Sequence, residues 1–435
     1  MPDNETHVIV GAGLAGAKTA EALREHGFDG RIVLVGSEPE LPYERPPLSK
    51  DYLRGESPRE KARALPDDWY SEHGIDLRTG TTVERIDPAA EEVVLTSGDR
   101  VGYDRLLIAT GAEPRHLSLP GSELEGVHYL RDFADADAIA ARLERGGPVV
   151  VIGAGWIGSE VAASARQKGL EVTIVERADV PLEHVVGAEV GAIYAQVHRD
   201  QGVELLTGAS LEAFEGDGRV ERVRLDRDRS IAADFVVVGV GVVPRTGLAE
   251  QAGLSVDDGI VVDARLETSA SGIFAAGDVA NAFHPFYRRH LRVEHWANAL
   301  NQPAVAAQAM LGKDASYDRL PYFFSDQYDV GMEYTGYATS WDEVVFRGDT
   351  DAREFIAFWL EDGRVVAGMN VNVWDVTDSI KELISSRQPV DVDRLRDPDT
   401  PLDAVLARLS SPGTHAMQRL AGDAGYAVRA SRKRA

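Results

Sequence analysis

The sequence predicts an α/β fold built from two strand–turn–helix–strand units and followed by a C-terminal α+β domain. Three observations carry this expectation. A buried strand runs into a glycine turn over residues 8–16. The same grammar returns over residues 148–175. From about Leu320 the texture changes to alternating apolar and polar stretches, the signature of antiparallel strands.

In chain order, a strand over 7–10 enters the turn Gly11-x-Gly13-x-x-Gly16, and a helix is expected over 17–26. Gly27 and Gly30 punctuate it, and β-branched residues at 32–35 form the second strand. Residues 106–109 read as a buried strand ending at Thr110-Gly111. The second unit has a strand at 149–152, the turn Gly153-x-Gly155-x-x-Gly158, a helix over 159–168 and a strand at 172–175. Further strands are expected at 235–240, ending near Gly241, and before Gly277-Asp278. Beyond Leu320, alternation at 343–347, 355–360 and 365–370 predicts a sheet, and 377–386 a helix. Residues 410–435 end in a basic run and read as a mobile tail.

Length and composition set limits. A chain of 435 residues corresponds to about three domains. The formal net charge of −25 argues against a general nucleic-acid binder, which needs basic surface to displace counterions. There is no cysteine, so the chain can hold no disulfide, thiolate zinc site, iron–sulfur cluster or cysteine redox centre of its own. No metal site is expected. No apolar run is long enough to span a bilayer, and the first residues carry no signal-peptide pattern. The expected compartment is the cytoplasm.

The two glycine turns carry the chemistry. In each, the first glycine makes a tight turn, the second lets a pyrophosphate approach the backbone, and the third lets helix pack on strand. The anion then meets the amides and dipole of a helix N-terminus. An acidic residue closes the second strand of each unit, Glu38 in the first and Glu176 in the second, suited to accept from ribose hydroxyls. A carboxylate at Glu176 repels a 2′-phosphate and favours NAD over NADP, although Arg177 is adjacent. Two cradles imply two dinucleotides, and the economical pair is a nicotinamide nucleotide with a flavin. Asp278, at a strand end, is placed to accept from a ribityl hydroxyl.

The string Pro42-Tyr-Glu-Arg-Pro-Pro-Leu-Ser-Lys50 resembles, at nearly every position, a segment of the FAD-dependent, NADH-using ferredoxin reductases of bacterial oxygenase systems, the putidaredoxin reductase and biphenyl dioxygenase reductase type. Segments 107–111, 129–131, 151–160, 272–278, 294–299 and 325–328 match as well, and the resemblance covers roughly residues 7–409.

It implies a glutathione-reductase-like, two-dinucleotide-binding-domain flavoprotein with a C-terminal α+β domain. The implied division is an FAD domain in two parts (1–113 and 242–319), an NAD domain (114–241) and a C-terminal domain (320–409). It places Lys50 beside the flavin, paired with Glu160 of the NAD helix, as the catalytic pair. Arg45 and Arg131 are implied FAD contacts, with Ala15 and Val83 lining the site through their backbone. Ala109, Thr110 and Gly111 join them. Ile157, Gly241, Glu294 and His295 are further implied cofactor contacts, and Trp296 packs near the isoalloxazine.

The implied function is a two-electron to one-electron transformer. NADH reduces FAD, and electrons leave singly to a [2Fe–2S] ferredoxin that feeds a cytochrome P450 or Rieske oxygenase. A rubredoxin or quinone acceptor is an alternative, as is a redox-sensitive binding protein like apoptosis-inducing factor. An acidic ferredoxin needs a basic landing patch. The candidates are Arg54, Arg59, Lys61 and Arg63, and Arg288, Arg289 and Arg292. Phe324 holds a position where the putidaredoxin reductase type carries tryptophan, so no indole route is expected there. Trp374 is expected to fill the core.

Overall fold

The computed structural model describes residues 5–406. The tail over 410–435 lies outside the described residues. Two five-stranded parallel sheets form the body. The first has the order Ile273–Ala275, Arg105–Ile108, Thr6–Val10, Arg31–Val35, Ile75–Arg78. The second has the order Val127–Tyr129, Phe235–Val238, Val149–Ile152, Val172–Val175, Glu204–Leu206. The central strands are mainly apolar and, apart from Thr6, buried on both faces, as parallel sheets covered by helices require.

The two sheets have one spatial order but different chain routes. The edge strand of the first, Ile273–Ala275, arrives after the whole second sheet is complete. The edge strand of the second, Val127–Tyr129, comes before its other strands. Each unit also carries a three-stranded antiparallel sheet, Val83–Asp87, Glu92–Leu95, Arg100–Gly102 in one and Leu211–Glu215, Arg222–Leu225, Ser230–Ala232 in the other. The chain leaves the first unit through Ala112–Pro114 and returns through Val242–Pro244. These two strands pair antiparallel.

Helix Leu14–Glu25 packs against Trp296–Met310 over the first sheet. Both nucleotide-unit helices start earlier than the apolar pattern predicts, at Leu14 instead of residue 17 and at Trp156 instead of residue 159. Glycine is a weak helix former, so Gly16 and Gly158 mask the first turn in sequence. The early start matters, because the free amides of that turn face the glycine cradle.

The C-terminal sheet is antiparallel, in the order Tyr322–Gln327, Val330–Gly336, Arg364–Val371, Glu354–Glu361, Glu343–Asp349. One face packs on helix Glu183–Asp200 through Tyr194, Phe323, Tyr334 and Trp359. The other packs on Thr377–Ser386 through Ile356, Phe358, Ile380 and Ile384. Trp374 corrects the sequence reading. It is 53% exposed, and its ring lies against Gly331. The chain turns out of the sheet through left-handed Asn372 and Asp375, and the Asn372 side chain ties this turn to Gly331 N at 2.9 Å. Trp374 is thereby carried past the core. No helix among the described residues is long and apolar enough to cross a membrane.

Candidate active site

The glycine turns define the site. Gly11 has φ +115°, and a Cβ there would lie 2.1 Å from the Ala109 carbonyl oxygen. A Cβ on Gly16 would lie 2.0 Å from the Gly11 oxygen. On Gly13, by contrast, a Cβ would meet nothing within 4 Å. The second turn repeats this. Gly153 and Gly158 would collide with backbone oxygens at 2.4 and 2.1 Å, and Gly155 would meet nothing within 4 Å. The outer glycines of each triplet therefore serve packing, and the middle one leaves room in the cradle.

Both cradles open into one cavity of about 1490 Å³, larger than the roughly 300–1,000 Å³ of a drug-sized site. Its wall includes Gly11, Gly13, Ala15, Glu38, Arg45 and Lys50 from the first segments, with Val83 and Ala109, Thr110, Gly111. Arg131, Gly155, Ile157, Glu160 and Gly241 line it from the second unit, and Gly277, Asp278, Glu294, His295 and Trp296 complete it. Gly16, Gly153, Gly158 and Glu176 stand behind this wall.

The charged groups are ordered in pairs. Glu38 accepts from Arg45 at 2.7 Å and from the Tyr43 hydroxyl at 2.5 Å. Burial pushes the Glu38 carboxyl up, but Arg45 and Tyr43 outweigh it and hold the group below its ordinary range. Arg45 also donates to the Arg131 carbonyl. Arg131 pairs with Asp278 at 2.9 Å, so the two carboxylates expected to meet ribose and ribityl hydroxyls each carry an arginine. Burial lowers His295 to about 4, so its imidazole is neutral near pH 7.

The Glu176 carboxylate accepts from Ala154 N at 2.6 Å and Ala178 N at 2.8 Å. These two amides fix it beside the second glycine turn. Glu176→Ser is expected to raise kcat/KM for NADPH relative to NADH by about tenfold, read from steady-state kinetics with both nucleotides.

Lys50 and Glu160 meet as expected. Lys50 Nζ lies 2.8 Å from Glu160 Oε2, with the side chains 12% and 3% exposed. Lys50 also donates to the Pro46 carbonyl at 3.2 Å and stands over the Phe324 ring at 5.7 Å. Phe324 in turn meets Trp296 edge-on at 5.8 Å. Two residues at this site were missed as functional groups. Ser49 donates to Glu160 Oε2 at 2.5 Å and Ser325 to Glu160 Oε1 at 2.7 Å. Their only sequence signal was membership of the Leu-Ser-Lys and Ser-Asp-Gln strings.

The proposed landing patch needs correction. Arg54 is neutralised by Asp51 and Glu56, Arg59 by Glu40 and Asp137, and Arg63 by Asp67. Arg292 pairs with Asp258 and Glu294 and is only 11% exposed. Lys61, Arg288 and Arg289 are exposed and have no ion pair among the described residues. Arg289 lies over Tyr337, itself on the cavity wall.

The residues fit a flavin dinucleotide. The open middle glycine of the first turn is a cradle that any side chain would fill. Arg131, on this wall, has a buried Nε donor without a protein partner. The class defined by the fold and site is an oxidoreductase that binds two dinucleotides.

Residues 5–303 match the family described as pyridine nucleotide-disulphide oxidoreductase, and 322–406 match the reductase C-terminal domain. The chain belongs to the pyridine nucleotide-disulphide oxidoreductase family, and without cysteine it has no disulphide of its own to exchange. Its cofactors are FAD and NAD(P)H. It is 42% identical over 403 residues to the ferredoxin–NAD(+) reductase component of the anthranilate 1,2-dioxygenase system of Burkholderia cepacia, covering 92% of this chain and 98% of that one. It is 37% identical over 413 residues to putidaredoxin reductase of Pseudomonas putida, with 94% and 98% covered. Among solved structures it resembles the covalent putidaredoxin reductase–putidaredoxin complex, with TM-score 0.89, 36% identity and coverage of 92% and 97%. The ferredoxin reductase for the CYP199A2 system of Rhodopseudomonas palustris gives TM-score 0.89 at 35% identity, with 92% and 99% covered.

Proposed function

We propose that this chain is an NADH-dependent FAD reductase that passes electrons singly to a [2Fe–2S] ferredoxin serving a cytochrome P450 or Rieske oxygenase. The observation that carries the reading is the buried Lys50–Glu160 pair on the wall of a cavity fed by two glycine cradles. FAD, when bound, would supply the chemistry of taking one hydride, two electrons with one proton, from a nicotinamide and of giving the two electrons up singly. The first cradle, with Glu38, Arg45, Arg131 and Asp278, holds the flavin nucleotide. The second, with Gly155, Ile157 and Glu176, holds the nicotinamide nucleotide. Lys50 supplies a fixed cation at the wall, where it favours negative charge without a reorganisation step. Glu160 holds that cation in place from the NAD helix. Trp296, Phe323 and Phe324 exclude water from this end of the cavity.

The division of labour follows the chain: 1–113 and 242–319 bind FAD, 114–241 bind NAD, and 320–409 form the C-terminal domain, whose strand Tyr322–Gln327 brings Phe323 and Phe324 to the site. The compartment is the cytoplasm, where NADH is available. An acidic ferredoxin is attracted to Arg288 and Arg289, which are exposed and carry no ion pair among the described residues of an otherwise acidic protein. Reversing both, Arg288→Glu with Arg289→Glu, is expected to raise KM for the ferredoxin about tenfold at low salt. NADH–ferricyanide turnover stays at the wild-type rate. Unchanged ferredoxin kinetics would remove this surface from the reading.

A further inference from the structure

We propose that Ser325, in the C-terminal domain, is a positioning residue for the Lys50–Glu160 pair. The inference rests on the role given to that pair above. Glu160 is 2% exposed and accepts three hydrogen bonds from two segments remote in sequence. Ser49 and Lys50 come from the FAD side and meet Oε2 at 2.5 and 2.8 Å. Ser325 comes from the strand Tyr322–Gln327 and meets Oε1 at 2.7 Å. With Oε2 facing the lysine, Ser325 is the donor that fixes the rotation of the carboxylate.

The direction of the bond is set on both sides. Gln327, 1% exposed, donates its amide to Ser325 Oγ at 3.4 Å, which leaves the serine proton for Glu160. The Ser49 backbone is held by a different bond, the Ser164 hydroxyl donating to its main-chain carbonyl at 2.6 Å. Ser164 is one turn along the same helix as Glu160. The clamp therefore has a rigid NAD-side frame, and Ser325 is its only hydroxyl from the C-terminal sheet. A buried acceptor that loses a donor reorients toward those that remain. In Ser325→Ala, Glu160 turns toward Ser49, and Lys50 loses its fixed place on the wall.

The test uses the FAD-loaded protein as wild type, Ser325→Ala and Ser325→Thr. Flavin bleaching by NADH is followed by stopped flow. Acetylation of Lys50 by N-hydroxysuccinimide acetate is followed by peptide mass spectrometry, with exposed Lys61 as the internal reference. Ser325→Ala is expected to slow bleaching at saturating NADH about tenfold with KM within about twofold, and to speed Lys50 acetylation several-fold relative to Lys61. Ser325→Thr keeps the hydroxyl and restores both. Wild-type bleaching and labelling in Ser325→Ala would overturn the proposal. So would a Ser325→Thr protein that behaves like Ser325→Ala, because side-chain volume would then be the cause. If NADH fails to bleach even the wild type, the proposed function falls, while Lys50 labelling still reads the clamp.

Discussion

Glu160→Gln is expected to slow NADH-driven flavin bleaching by about 100-fold and to cost about 3 kcal/mol of stability. The change is nearly isosteric, so packing is not the cause. It removes the charge opposite Lys50 in a place where neither side chain has much water. Breaking one partner of a buried pair leaves the other charge uncompensated, which is why the cost exceeds that of a surface bridge. The amide also brings donors of its own to a position where Ser49, Lys50 and Ser325 already donate. Stopped flow at saturating NADH and thermal unfolding of the purified protein check the two parts. A variant with wild-type rate would remove Glu160 from the account of the site.

The second large effect separates the two cradles. Gly13→Val is expected to yield folded protein that retains less than about one tenth of its FAD, because the side chain fills the first cradle. Gly155→Val is expected to purify yellow but with KM for NADH raised about 30-fold or more. Both predictions come from the open space at these two positions, where a Cβ would meet nothing within 4 Å. Gly16→Ala differs in kind, since its Cβ would lie 2.0 Å from the Gly11 oxygen and the fold itself must give. The checks are the flavin-to-protein absorbance ratio and NADH titration. A colourless Gly155→Val, or a yellow Gly13→Val that fails only with NADH, would reverse the assignment of the cradles.

Much of this was legible in the sequence because the signals are local. Val149–Ile152 is a short apolar run bounded by Pro148 and Gly153, and the structure makes it a fully buried central strand. The helix Thr377–Ser386 was read to its ends from its apolar spacing. Lys50 and Glu160 came through resemblance, and they meet. What stayed hidden depends on contacts between distant segments. Nothing near Ser325 marks it as a donor to a carboxylate 165 positions earlier. The helix starts at Leu14 and Trp156 were hidden by glycines whose helix propensity is poor but whose backbone is needed there. Trp374 was misread because hydrophobicity alone favours burial, whereas two left-handed residues turn it outward. For Arg54 the neutralising acids Asp51 and Glu56 were visible nearby, and counting charge by segment would have removed it from the landing patch.

The most direct test of the central claim is sequential stopped-flow mixing. The purified protein is mixed with NADH and, separately, with NADPH, and then with an oxidised [2Fe–2S] ferredoxin. The account predicts fast bleaching of the flavin band with NADH, slower bleaching with NADPH, and rapid ferredoxin reduction after mixing. Fast bleaching followed by no ferredoxin reduction would contradict it and assign the electrons to another acceptor, such as rubredoxin or a quinone.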